Sequence, residues 1–237
     1  MTAQHFKTIV LDLLQQGHLD EEAFLQELNE TERTAIGTPD LWSARDHVAH
    51  RTFWRQNLVL NLTAILQHQE LPPSEESEEL LNAMAFEQHR LLPWSDILAE
   101  SERVYAELIK LTEQLSEEDL TASNRFTWFS GENPLYAAIL GRCYEHDQEH
   151  LVQYYLDRHD LPRAIQIREK CASRVIQAEV PAWVKGSFLY NLACFYAQLN
   201  QLEKATALLQ EALALAPALK ERSKSDPELV ALRDRLA

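Results

Sequence analysis

His146 and His150 stand four residues apart in a stretch of helical pattern, Pro134 to Arg158, so both imidazoles point from one face. Such a pair can chelate one metal ion at about 2.0–2.1 Å per bond without distorting the helix. Spacing alone is weak evidence, because nine histidines scattered at random over 237 positions would give about 0.3 such pairs. A third ligand is therefore required. Peptidase chemistry is set aside, since a zincin carries Glu directly after its first His and here that position is Asp147. Upstream, Trp42, Ser43, Asp46 and His50 form the pattern W-S-x-x-D-x-x-x-H, continued by Phe53 and Trp54.

These residues need long helices to hold them, and the chain supplies such helices. Phe6, Ile9, Val10, Leu13 and Leu14 put one apolar face on a stretch from about Thr2 to Gln16. Gly17 is a candidate break or bend before Asp20 to Leu28, where Phe24, Leu25 and Leu28 cluster; one kinked helix and a helix pair are both open. Ser43 and Asp46 read as an acidic variant of the capping box that opens a helix to about Gln69. A linker with Pro72, Pro73 and acidic residues follows, then helical sequence from Glu75 to Leu91 and from Ser95 to Leu115, separated by Pro93. Thr121 to Asn133 reads as a loop with an aromatic section. Asn133 as cap and Pro134 at the first helical position then start the helix that carries the histidine pair. Four principal helices in about 160 residues predict an all-α fold, a four-helix bundle whose sites face its centre.

The segment Trp42 to Trp54, with His146, His150 and the bundle outline, resembles the DinB/YfiT-like superfamily over about residues 1–160. The likeness is strongest to the branch related to colibactin self-resistance proteins. Many members of this superfamily bind a divalent metal through one histidine of the second helix and two, four apart, on the last. The resemblance thus implies His50, His146 and His150 as ligands. It implies architecture more than reaction, because members include thiol-dependent transferases, a mycothiol-dependent isomerase and a cyclopropane hydrolase. Three neutral imidazoles would leave the divalent charge uncompensated and a coordination position open to water or a thiolate, so hydrolysis and thiol transfer on a small electrophilic molecule are both available. Ligand type suits zinc, nickel, copper and iron; zinc or nickel is expected.

Other residues near this set have two readings each. His47 precedes His50 by three and could be a fourth ligand or proton shuttle, or a histidine outside the coordination. Asp46 is a cap or a carboxylate that orients a histidine. Cys143, one turn before His146, could approach the metal or simply fill buried space. Trp54, Trp128 and Phe129 could line a substrate pocket or belong to the core. His5, His18, His68, His89 and His159 have no converging partner in the sequence.

Composition limits the partners. A formal net charge of −15 without clustered Lys and Arg argues against nucleic acid. Met1 to Leu19 supports neither a signal peptide nor a membrane span, and the odd, widely spaced Cys143, Cys171 and Cys194 fit a reduced, cytoplasmic compartment. From 161 onward the composition changes. Leu192, Ala193, Tyr196, Ala205, Leu209, Ala212 and Pro217 occupy the spacing of a tetratricopeptide helix pair, with a fainter copy 41 residues upstream at Leu151, Val152, Tyr155, Ala164 and Cys171. A tail at 161–237 packed on a bundle at 1–160 is expected, and similar extensions occur on some members of the family. Two alternatives to metal chemistry stand: a tail that captures a protein or peptide partner, and a bundle that binds or opens a toxic electrophile without metal. The resemblance also suggests a homodimer.

Overall fold

The computed structural model describes residues 5–72 and 75–235, so Thr2 to Gln4 of the first expected helix and Pro73 of the linker lie outside it. The chain divides into two compact units, Met1–Ile167 and Arg168–Ala237. No strand occurs among the described residues, and none of their helices is long and apolar enough to cross a membrane.

In the first unit α1 spans His5–Glu27 without interruption. Gly17 does not break it. A helical glycine costs about 1 kcal/mol relative to alanine, but here a Cβ would lie 3.1 Å from Cδ2 of Tyr144, so the missing side chain seats that ring. A short α2 (Glu30–Thr34) follows, capped by Asn29. α3 (Ala44–Leu66) starts at the expected place for a local reason: Ser43 Oγ accepts from the Asp46 amide while Asp46 Oδ2 accepts from the Ser43 amide at 2.8 Å. The Gly37 amide donates to the same oxygen at 3.1 Å, and a Cβ on Gly37 would stand only 2.6 Å from the Ser43 nitrogen. After α4 (Glu78–His89) comes α5 (Trp94–Gln114), whose Ile97, Val104, Leu108 and Leu111 bury one stripe. The loop expected at Thr121 to Asn133 contains the end of α6 (Glu117–Thr121) and a single turn, α7 (Thr127–Ser130).

The last helix departs most from expectation. Asn133 makes no cap; Pro134 itself takes the cap position, with ψ of 148°, and α8 runs Leu135–Ile139. Six residues, Leu140–Glu145, then form a π-helix, π1, before α9 (His146–Leu156). The wider i→i+5 turns reset the rotation of everything beyond them, by about 100° for each residue gained. Leu140, Cys143, Tyr144 and Glu145 face inward while Gly141 and Arg142 are exposed. α1, α5, α3 and the α8–π1–α9 helix pack as the four members of a bundle. One apolar cluster joins Phe24 of α1 and Leu28, just beyond its end, to Ala44, Leu151 and Tyr154. Another joins Val48 and Ala49 to Ile97.

α10 (Leu161–Gln177) contains the division between the units. In the second unit α11 (Ala182–Gln198) and α12 (Leu202–Leu215) form an antiparallel hairpin, turned at Asn200 with φ of 57°. Leu192, Ala193, Tyr196, Ala205, Leu209 and Ala212 are all buried. α13 (Leu219–Ser225) and a 3₁₀ segment (Pro227–Arg235) complete it; the segment buries Leu229 and Leu232, and Tyr190 donates to Asp226 at 2.8 Å. Gly186 lets the two hairpin helices approach, since a Cβ there would meet the Ala216 Cβ at 2.7 Å and the Ala212 carbonyl oxygen at 2.9 Å. Backbone cannot swing away as a side chain does. Gly186→Ala is therefore expected to destabilise this unit by about 1–3 kcal/mol, overpacking outweighing the roughly 1 kcal/mol gained in helix propensity. Amide exchange across α11 and α12 should accelerate; unchanged or slower exchange would count against the close approach.

Candidate metal centre

The amino-terminal half of α3 buries an unusually polar face: Arg45, Asp46, His47, His50, Arg51, Thr52 and Arg55 all lie inside, whereas Leu58, Leu62 and Ile65 fill the other half with apolar side chains. Across from this polar half stands α9. Nε2 of His146 lies 3.3 Å from Nε2 of His50 and 3.1 Å from Nε2 of His150. On the far side of His150, its Nδ1 stands 3.1 Å from Nδ1 of His47. Trp42 closes over the group, stacked on the His150 ring at 5.7 Å and 5° and tilted against His50 at 4.8 Å.

This geometry fits a metal ion. Two imidazole nitrogens bound at 2.0–2.1 Å with an angle near 100° at the ion are held about 3.1 Å apart. The His50–His146 and His146–His150 nitrogen pairs are thus close to the required separation, all three ligand atoms lie within 4.8 Å of one another, and His50, His146 and His150 could hold one cation. Protonation favours the same outcome. Burial, aided by the positive charge of neighbouring Arg51, pulls His146 down to about 4; burial, His146 and Arg51 pull His50 down to about 3. Burial and the other histidines hold His150 well below its usual range, and burial with Arg51 takes His47 to about 3. Neutral imidazole is the form that binds a metal.

The same shifts make a prediction about the metal-free protein. Each folded-state value lies below the ordinary 6.5, so the unfolded chain binds more protons as pH falls. The stability contributed by these groups is complete above pH 6.5 and drains away toward pH 3 to 4. Melting temperature of the metal-free protein should fall across that window. Replacing His47, His50, His146 and His150 together should flatten the fall, and an equally steep fall in that variant would refute the assignment.

Beneath the histidines lies a buried ionic layer that links all four bundle helices. Arg55 of α3 donates through Nε to Asp147 of α9 at 2.8 Å, pairs with Glu21 of α1, and reaches Ser101 Oγ of α5 at 3.5 Å. Arg51 pairs with the other Glu21 oxygen at 3.1 Å. Burial opposes ionisation of Glu21, but the two guanidinium groups outweigh it and hold its carboxyl well below the usual range. Burial likewise works against charge on Arg55, and Asp147 and Glu21 overcome it, pushing its value up. Asp147 adjoins His146, and Arg51 adjoins His50, so this layer fixes the heights at which the clustered histidines leave their helices.

A cleft of about 290 Å³ opens onto His50 and His146. Its walls include Trp54, Asn82, Arg142 and Glu149. Trp54 is anchored by a 2.9 Å hydrogen bond from Nε1 to Asn82 Oδ1, and Arg142 lies over the Phe129 ring at 4.6 Å. Both Gly141 and Arg142 reach the cleft from π1, so the irregular turn shapes its wall.

Other residues singled out by the sequence lie elsewhere. Asp46 is engaged in the α3 cap. Cys143 is fully buried, and burial pushes its thiol far up. Cys171 and Cys194 are likewise buried and form no disulfide. Trp128 packs on Phe129 at 5.9 Å and does not line this cleft. His18 stacks on Tyr105, and His89 contacts the Ala85 carbonyl oxygen. Sequence spacing does not single out Glu21, Arg51, Arg55 and Asp147 as one network, nor Trp42 as a neighbour packed on the histidine rings. The available signal is the four-residue ladder His47, Arg51, Arg55, which sets two charges on the face that also carries an inward histidine.

No curated protein and no solved structure matches the chain. The family described as the DinB superfamily matches residues 15–154, which contain α3, π1, nearly all of α9 and all four clustered histidines. With more than half its length matched, this chain belongs to the DinB superfamily.

Proposed function

We propose that His50, His146 and His150 hold a single divalent metal, zinc or nickel, and that the protein uses it for thiol transfer to, or hydrolysis of, a small electrophilic molecule. The observation that carries this reading is the convergence of three Nε2 atoms at separations of 3.1 and 3.3 Å. Bound through three neutral imidazoles, the metal would keep its charge uncompensated and favour the deprotonated form of water or a thiol at an open position. The chain's residues do the rest. Trp42 packs against the rings of His50 and His150 on one side of the cluster, while the Trp54 indole, fixed by Asn82, offers an apolar wall for a substrate. Arg142 supplies a cation, and Glu78 and Glu149 place carboxylates at the cleft wall. A volume of about 290 Å³ suits a compact molecule.

The test is a panel of small electrophiles with and without a low-molecular-weight thiol, run on protein stripped by chelator and then reloaded with zinc or nickel. Turnover should vanish on stripping, return on reloading, and fail to return in His146→Ala. Equal turnover in the stripped protein would instead support chemistry that needs no metal.

A further inference from the structure

His47 belongs to none of the three positions that converge, yet it is 1% exposed and touches the cluster at one defined atom. Its Nδ1 lies 3.1 Å from Nδ1 of His150. At that distance two bare nitrogens would set lone pair against lone pair, and two N–H groups would clash, so one ring carries the shared proton and the other accepts it. Which ring carries it is decided at the opposite edge of His150. If Nε2 of His150 binds a metal, that nitrogen is bare and the proton of the neutral ring must sit on Nδ1. His150 is then the donor, and His47 accepts with its proton on Nε2.

We infer that His47 is a positioning residue for the metal centre, accepting the Nδ1–H of His150 and so fixing that ligand's tautomer and ring orientation. The inference rests on the metal reading above. Two observations favour this role over a fourth ligand. The His47 nitrogen that faces the cluster points at Nδ1 of His150, not at the converging Nε2 atoms, and the group of possible ligands that lie close together contains His50, His146 and His150 without it. The His47 ring is also held in place by its burial and by edge contacts to Trp42 at 5.4 Å and Tyr154 at 6.0 Å. Acceptors of this kind raise ligand basicity, and their loss typically weakens metal affinity by about 10–100-fold.

Two His47 variants and one spectrum test this. Zinc affinity is measured by competition with a chromophoric chelator for wild type, His47→Phe and His47→Asn, with circular dichroism to confirm folding. Phenylalanine keeps the ring and removes the acceptor; asparagine places a carbonyl oxygen close to where Nδ1 stood. His47→Phe should bind zinc about 10–100-fold more weakly, and His47→Asn should recover most of the loss. In the zinc-loaded wild type, ¹H–¹⁵N correlation of the imidazoles should show His150 protonated at Nδ1 and His47 at Nε2. The inference is overturned by equal zinc affinity in wild type and folded His47→Phe, or by a His47 ring protonated at Nδ1 in the loaded protein. Should His47→Phe fail to fold, the wild-type spectrum decides by itself. A wild type that takes up no zinc, assayed alongside His50→Ala, would sink the metal reading and this inference together.

Discussion

Arg55→Met is expected to lower the unfolding free energy by about 3–5 kcal/mol, the usual penalty for leaving buried charge without its partner. The side chain is 2% exposed and contacts both Glu21 and Asp147, themselves 1% and 6% exposed. Removing it strands two carboxylates against one remaining guanidinium, Arg51. Methionine fills much of the volume, so the loss is electrostatic and not a cavity effect. Arg55→Met/Asp147→Leu restores one negative group to one positive group, Glu21 with Arg51, and should regain part of the loss. Urea unfolding of the four proteins of this cycle would show it as a coupling energy well beyond the 0.5 kcal/mol expected of independent sites. Additive effects would mean that the layer does not act as a unit.

Zinc at about 1,000 times its dissociation constant should stabilise the wild type by about 4 kcal/mol, because it binds the folded chain and not the unfolded one. His150→Ala should abolish most of that gain. Its Nε2 is one of the three converging atoms and its Nδ1 is the contact to His47, so on the proposed reading the variant removes a ligand and disconnects the neighbour that orients it. The loss of zinc affinity should exceed the roughly 10–100-fold typical of outer partners. Denaturant unfolding with and without zinc measures both effects. Equal stabilisation of wild type and His150→Ala would place the zinc elsewhere.

The parts of this structure legible in the sequence are those set by local chemistry. The Ser43 and Asp46 box fixes the start of α3, and the proline at 93 separates α4 from α5, because caps and prolines act through neighbours in the chain. Where distant neighbours decide, the sequence is silent. Gly17 reads as a break until the Tyr144 ring is seen against it, and a π-helix differs from an α-helix only in which carbonyl each amide selects. The candidate site divides in the same way. Four-residue spacing is visible for His146 and His150, but the chain does not announce that His50 faces them from 96 residues away. The resemblance to a family supplied that link. Arg51, Arg55 and Asp147 look like solvated surface charge, and only the packing of four helices around them reveals a buried layer.

The metal itself is most directly tested by elemental analysis of protein purified without a histidine tag, comparing wild type with His146→Ala/His150→Ala. The account predicts near-stoichiometric zinc or nickel in the wild type, as isolated or after loading and desalting, and none retained by the double variant. A wild type that takes up neither metal, or a double variant that retains as much, would contradict it.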